Sequence, residues 1–416
     1  MNLQENKMES LTVIYLAYTF IALYFLVLFI LIYIPNRKNL FFYPNPDRNY
    51  SLSIVVPCYN EEENIEGTIR ALLDSDYKGL KKVIVVDDCS TDRSYDIIKK
   101  LSKKYPKVLA LKTPKNTGKA SGAKNYGAKF VTTELIGFTD ADSYPKKDAI
   151  TKMVGFFNDK NVGAVTARVL VKKRDNFIER LQSIEYKIIS FSRKLLGFIG
   201  AIYVTPGPLA IYRRSAFNEI NGFDEKNMTE DIEITWHLIS KKYRVEMSLL
   251  SRVYTVAPDN FKAWFRQRVR WNIGGIQTIN KYKKTFFKVG MLGSFILPFF
   301  VFSWMLGIFG ILILFYRIVR RAVVQYLSTT YSVKAQTAIF TFRELNLTPS
   351  ILVFFGIAMF ILSFSFTLLA LLHSREKEFK KHKLLDILAY MFVYLLSYPV
   401  ILITSIYKFF KGKHSW

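Results

Sequence analysis

The pentapeptide Gln267-Arg268-Val269-Arg270-Trp271 carries three side chains suited to one kind of ligand. On a helix, Gln267, Arg270 and Trp271 stand at i, i+3 and i+4 and share a face. That face offers an amide, a guanidinium fork that fits phosphate, and an indole plate that fits a sugar ring. The same string also suits a helix lying on a membrane, with arginine reaching headgroups and tryptophan seated among them. Acidic motifs upstream must decide between the two.

Asp140-Ala141-Asp142 sets two carboxylates two residues apart where an apolar run ends. One can approach a ribose or diphosphate while the other holds a hard divalent cation; Mg2+ takes only one or two protein carboxylates beside substrate phosphates. Taken alone, the pair also fits a solvated turn. Asp87-Asp88 reads as a cap and turn, or as adjacent carboxylates that repel unless a donor such as a nucleobase imino N–H lies near. The stretch from Asn116 to Asn125 is glycine-bearing and basic. Its Lys119 could reach a diphosphate as a point charge, or sit on the surface of a helix start. Thr229-Glu230-Asp231 precedes a helical pattern over Ile232–Ile239. Its carboxylates fit simple capping, or one of them takes the proton of an attacking hydroxyl.

Positioning these groups calls for an α/β domain. Leu52–Pro57, Lys82–Val86, Val108–Leu111 and Glu134–Thr139 read as strands, and Asn60–Glu63 and Ser90–Asp92 open helices between them. Such alternation predicts a mostly parallel sheet, with ligands bound outside the carboxyl ends of its strands. Three successive ends carry Tyr59 with Glu61, Asp87 with Asp88, and Asp140 with Asp142. Neither a GxGxxG turn nor a GxxxxGK[ST] loop is present, which disfavours a dinucleotide oxidoreductase or an ATPase. Lys173–Tyr203 pairs helically spaced apolar residues with basic ones; a partner-facing helix and a helix on the membrane surface both fit, and the surface helix is the favoured reading.

Composition narrows the class. Of 416 residues half are apolar, and the net charge is +26. That excess suits anionic lipid or phosphate-bearing substrates; without any nucleic-acid motif, nucleic acid is not an expected partner. Two cysteines, Cys58 and Cys89, and four scattered histidines exclude a disulfide framework and a cysteine- or histidine-based metal site. Four apolar segments are long enough to cross a bilayer: 11–34, 290–315, 348–372 and 385–406. Basic residues after the first place its C-terminal side in the cytoplasm. On that topology the soluble part, 50–255, is cytoplasmic, the helices of 256–288 lie at the membrane interface, and the loop 316–346 and the C-terminus lie outside. The charges of Arg317, Arg320 and Arg321 oppose that last assignment, and those of 374–383 agree with it.

The ordered set of motifs resembles family 2 glycosyltransferases of the hyaluronan, chitin-oligosaccharide, poly-N-acetylglucosamine and cellulose synthase type. The matching elements are Val56–Glu61, Val86–Asp92, Asp140-Ala141-Asp142, Gly207-Pro208 with Tyr212–Arg214, Thr229-Glu230-Asp231 and the QxxRW pentapeptide. The resemblance implies a GT-A (nucleotide-diphospho-sugar transferase) domain inserted between transmembrane helices of a multi-pass cell-membrane protein. It implies a nucleoside-diphosphate sugar donor, usually UDP-linked, with Mg2+ or Mn2+. Carried over by motif, Pro57, Tyr59, Glu61, Asp87 and Asp88 line the nucleoside pocket, and Asp140 approaches ribose, diphosphate and metal. Asp142 holds the metal, Asp231 beside Glu230 is the general base, and Lys119, Gln267 and Arg270 meet the diphosphate. Gly207, Pro208 and Trp271 bind the acceptor.

The expected reaction is inverting extension of a β-linked polysaccharide, with export across the membrane. The alternative is transfer of one sugar to a lipid acceptor, giving a glycolipid or polyprenyl-phosphate sugar. Membrane lipids are expected partners, and an oligomer is allowed. Cellulose synthases carry further elements for which this chain has no room, and four spans are fewer than the large synthases have. A non-enzymatic scaffold or transporter subunit is disfavoured, because the acidic set is intact and the spans read as essentially free of ionisable residues.

Overall fold

A computed structural model describes residues 2–288, 290–336, 351–373 and 383–412. At its centre is an eight-stranded sheet in the order β3-β2-β1-β4-β7-β6-β8-β5. The strands are β1 (Leu52–Cys58), β2 (Leu80–Asp87), β3 (Val108–Lys112), β4 (Leu135–Phe138), β5 (Ser143–Pro145), β6 (Val162–Val171), β7 (Ala210–Arg213) and β8 (Arg244–Thr255). The pairs β1–β2, β1–β4, β2–β3 and β6–β8 are parallel, whereas β4–β7, β6–β7 and β5–β8 are antiparallel. The sheet is therefore mixed, not mostly parallel. The first four strands follow the sequence reading, and the antiparallel half is formed by segments whose pattern gave no strand signal there.

Helices α1 (Asn2–Asn36), α2 (Ile65–Leu73), α3 (Ser94–Lys104), α4 (Ala120–Ala128), α5 (Thr151–Val154) and α6 (Phe177–Gly197) occupy the first half of the chain. They are followed by α7 (Arg214–Glu219), α8 (Glu230–Ser240), α9 (Phe261–Tyr282), α10 (Leu297–Lys334), α11 (Ile351–Leu372), α12 (Leu384–Ala389) and α13 (Leu395–Phe410). The period-2 pleat sends Ile54 and Val56 to one side of the sheet, where Ile65 and Ile69 of α2 and Ile98 of α3 cover them. Val55 goes to the other side with Ile84, under Ala123 of α4 and Ile234 and Leu238 of α8. Burial on both faces is why these strands are unbroken apolar runs.

Beyond the sheet lies a second apolar body. Helix α6, closed at its start by a reciprocal Asn176–Glu179 capping box, packs Leu181 and Ile184 with Trp264 and Ile273 of α9 and Ile401 of α13. On another side its Phe191 and Leu195 meet Ile32 of α1 and Ala370 of α11. The sequence reading of this segment as a membrane-surface helix is thus corrected. Its polar positions, Glu185, Lys187, Arg193 and Lys194 among them, are buried as well, so the helix is an internal wall between the sheet and the apolar helices.

Among the described residues, three helical stretches are long and apolar enough to cross a bilayer: Leu16–Asn39, Leu292–Lys334 and Leu384–Phe410. The second combines a π-helical turn, Leu292–Ile296, with α10; the third runs from α12 through a π-helical turn, Tyr390–Tyr394, into α13. At 1.5 Å per residue the second stretch is about 65 Å long, roughly twice the hydrocarbon thickness of a bilayer. The segment after Phe315, read above as a loop, continues this helix through Arg317, Arg320 and Arg321 to Lys334. Residues 337–350 and the basic 374–382 lie outside the described residues. Asp386, at the start of α12, is a buried ionisable group within one of the apolar segments, and it pairs with Arg180 at 3.2 Å.

Candidate active site

The strand ends are shaped by two left-handed residues. Asn60 (φ 53°) follows β1 and Cys89 (φ 63°) follows β2, turning the chain sharply out of the sheet. The two loops then bind each other. The Asn60 N–H donates to Ser90 Oγ (3.0 Å), the Glu61 N–H to Ser94 Oγ (2.8 Å), and the Thr91 N–H to Asn60 Oδ1 (2.8 Å). Above these ends opens a cavity of about 900 Å3, walled by the strand-end loops, α4, the start of α8, α6 and α9.

Pro57, Tyr59, Glu61 and Asp88 line one end of it. Asp87 does not reach the wall, contrary to its expected place there: it is wholly buried behind it, and its Oδ1 has no hydrogen-bond partner among the described residues. Asp88 uses both oxygens internally. Thr113 Oγ1 and Thr117 Oγ1 each donate to it at 2.7 Å, and the Thr117 N–H donates at 3.0 Å. Its evident work is to hold the Asn116–Lys119 loop against the sheet.

Asp140 and Asp142 leave β4 on the cavity floor with Glu61 close by. Burial, and then the charges of Asp140 and Glu61, push the Asp142 carboxyl up to about 7, although Ser143 and Thr255 donate to it. Burial raises Glu61 as well, with Asp140 adding to it and the Asn64 amide opposing. Gly207 and Pro208 press on this corner, and a Cβ built on Gly207 would overlap the Asp140 carboxylate.

The cation that serves this floor is one the sequence reading missed. Lys119 lines the cavity, but its ammonium donates to the carbonyls of Glu225 and Lys226, both at 2.9 Å. Five residues on, Lys124 is buried with its Nζ 2.8 Å from Glu230 and 3.3 Å from Asp140. Burial alone would lower this lysine, but Glu230 and Asp140 outweigh it and keep it protonated. In return Lys124 holds Glu230 below its ordinary range in spite of burial, with Arg270 contributing. Asp231 fares oppositely: burial first and Glu230 second push it up to about 7, against Lys124. Two neighbouring carboxyls at the start of α8 therefore differ in role, one locked as an anion and one able to exchange a proton near neutrality.

Helix α9 closes the other side. Asn260 caps it by accepting from the Ala263 N–H at 2.9 Å, and Gln267, Arg270 and Trp271 line the cavity from it. Opposite, α6 presents Tyr186, Ile189, Ser190 and Arg193, a helical i, i+3, i+4, i+7 stripe that was legible in the sequence but was read as membrane-facing.

Residues 53–221 match the family described as Glycosyl transferase family 2. Over that part of its length the chain is similar to family 2 glycosyltransferases. Its fold is GT-A. Over nearly the whole length, 95% of this chain and 99% of the other, it superposes on a mannosyltransferase from Pyrobaculum calidifontis solved with GDP-mannose and Mn2+, with a TM-score of 0.59 at 17% identity. In sequence the chain is 28% identical over 266 residues to a poly-β-1,6-N-acetyl-D-glucosamine synthase of Staphylococcus aureus (strain COL), covering 62% of this chain. It is 30% identical over 270 residues, 63% of this chain, to a probable glycosyltransferase, YdaM, of Bacillus subtilis (strain 168). The match spans 64% of the length of each of these curated relatives.

Proposed function

We propose that this protein transfers a sugar from a nucleoside-diphosphate donor to a saccharide hydroxyl with inversion, extending a β-linked polysaccharide at a membrane. The observation that carries the reading is the shared cavity. A carboxyl able to exchange a proton, Asp231, faces the same space as the Asp140–Asp142 floor and the Gln267–Arg270–Trp271 face. The domain faces the cytoplasm in this reading, where nucleotide sugars are made, and the apolar helices span the membrane.

The floor fits a divalent cation. Burial, and then the charges of Asp140 and Glu61, disfavour ionisation of Asp142, a cost that a bound cation removes. Among the described residues no group of three or more acidic, histidine or cysteine side chains is set to hold a metal by itself, so Mg2+ or Mn2+ held by Asp142 and Asp140 would need substrate phosphates to complete its shell. Bound there, the ion would neutralise charge developing on the diphosphate.

In the reaction itself Asp231 takes the proton of an acceptor hydroxyl. That oxygen attacks the anomeric carbon, and the bond to the diphosphate breaks with its electron pair leaving on the phosphate oxygen. Arg270 stabilises the departing anion, since fixed charges in a water-poor site act strongly on a developing charge. Lys124 holds Glu230 and Asp140 in place. Trp271 supports the acceptor ring. Because the Staphylococcus relative is named a poly-N-acetylglucosamine synthase, UDP-N-acetylglucosamine heads the donor panel.

The test is nucleotide release across that panel by the purified full chain in detergent, followed by sizing of the product. A saccharide ladder or polymer is expected. One organic-extractable product would replace the reading with transfer to lipid, and silence towards every donor would remove glycosyl transfer altogether.

A further inference from the structure

Within the pentapeptide, Arg268 is the one polar residue outside the cavity wall, and it is 1% exposed. Its guanidinium touches both neighbours that do line the wall. Nη1 donates to the Gln267 side-chain carbonyl, and the guanidinium carbon lies 4.1 Å from the Trp271 ring centroid. Behind it stands Glu185 of α6, whose carboxylate takes Nη2 at 2.5 Å and Nε at 3.2 Å. The same carboxylate accepts the hydroxyls of Tyr394 (2.6 Å) and Tyr398, both from the last apolar helical stretch, and Tyr398 also meets Arg268 Nε at 3.3 Å. Trp264 Nε1 donates to Tyr394 at 2.5 Å, which closes the network on α9.

We propose that Arg268 is a positioning residue through which the apolar helix sets the acceptor platform. The chain of contact runs from Tyr394 and Tyr398 to Glu185, from Glu185 to Arg268, and from Arg268 to Gln267 and Trp271. By occupying the Gln267 carbonyl, Arg268 leaves the amide NH2 as the group turned to ligand, which fits hydroxyl and ether oxygens of a saccharide and moves Gln267 from the diphosphate, where the resemblance sets it, to the acceptor. By stacking on one face of Trp271 it fixes the ring, leaving the other face for a sugar. A network that is fully satisfied and buried holds such groups in one arrangement. This inference rests on the reading of Trp271 as acceptor platform.

Removing Glu185 would strand a buried arginine and can unfold the chain, so the informative variants are Tyr394→Phe and Tyr398→Phe, which lie outside the cavity. The full chain in detergent is given UDP-N-acetylglucosamine and a short β-linked N-acetylglucosamine oligosaccharide as probes. Loss of one such hydrogen bond should raise the KM for the oligosaccharide about three- to tenfold and shorten the products. The donor KM and the rate of donor hydrolysis without oligosaccharide should stay within about twofold, as interactions confined to the acceptor require. Arg268→Lys should restore charge against Glu185 but not the acceptor KM, because an ammonium cannot bridge Gln267 and Trp271 together. Unchanged oligosaccharide KM and product length in both tyrosine variants overturn the proposal, as does an equal fall of all parameters. A wild-type chain that turns over no donor overturns it together with the reading beneath it.

Discussion

Lys124 and Glu230 meet at 2.8 Å in the interior, and the same ammonium lies 3.3 Å from Asp140. One lysine thus joins the floor of the cavity to the start of α8, the two places where the proposed metal and the proposed base are held. Truncating it to methionine leaves Glu230 charged and buried without its main partner. Such a loss costs about 3–5 kcal/mol. Thermal unfolding in detergent should show a clearly lower midpoint. Glu230 sits below its ordinary range in the folded chain, so its contribution is present at neutral pH and fades as pH falls through the acid range. The gap between wild type and Lys124→Met should therefore narrow in acid; a constant gap would contradict the pairing.

Replacing Asp231 by asparagine keeps the shape of the α8 start and removes the proton acceptor. Transfer should fall by about a hundred- to ten-thousandfold, the usual worth of general base catalysis. Donor binding, followed by titration calorimetry with Mg2+ or Mn2+ present, should persist. Substantial residual turnover would mean another group takes the proton.

The pH dependence follows from the same residue. Burial and Glu230 raise its carboxyl to about 7, and only the ionised form can act as base. The transfer rate at saturating donor and metal should be steady above that value and drop about tenfold for each pH unit below it. A rate that stays flat well into the acid range would remove Asp231 from the role.

Gly207→Ala tests the floor. Its new methyl would overlap the Asp140 carboxylate and force it to move. Misplacing a group that supports a metal site commonly weakens metal affinity about 10–100-fold. Activity titrated with Mn2+ should shift to higher concentration by that order, and chelation should silence the wild type until metal is returned. A titration curve that does not move would mean the carboxylate has room to spare.

The strand ends were readable because a strand buried on both faces must be apolar throughout, so the first acidic residue marks where it leaves the sheet. Asp140 and Asp142 after Phe138 are the clear case. Lys124 was not readable. In a stretch that also carries Lys112, Lys115, Lys119 and Lys129, nothing in spacing separates the one that folds inward; its partners, Asp140 and Glu230, are 16 and 106 residues away. Arg268 was hidden for the same reason, since its partner Glu185 lies 83 residues back on a helix whose many charges suggested a headgroup-facing surface. Long-range ion pairs bury charge where local hydropathy points outward, and strands β6 to β8 owe their pairing to tertiary closure.

The start of α8 and the body of α9 are fastened at several points. Gly274 packs so closely on Thr229 that any side chain would collide with it, Asn227 donates to Thr278 at 2.9 Å, and Lys281 pairs with Glu233 at 2.6 Å. The proposed base and the proposed platform are thus fastened to each other through the helices that carry them. In the proposed polysaccharide synthesis, that joint assigns the travelling to the saccharide, which slides by one ring per cycle past a base and a platform that stay together.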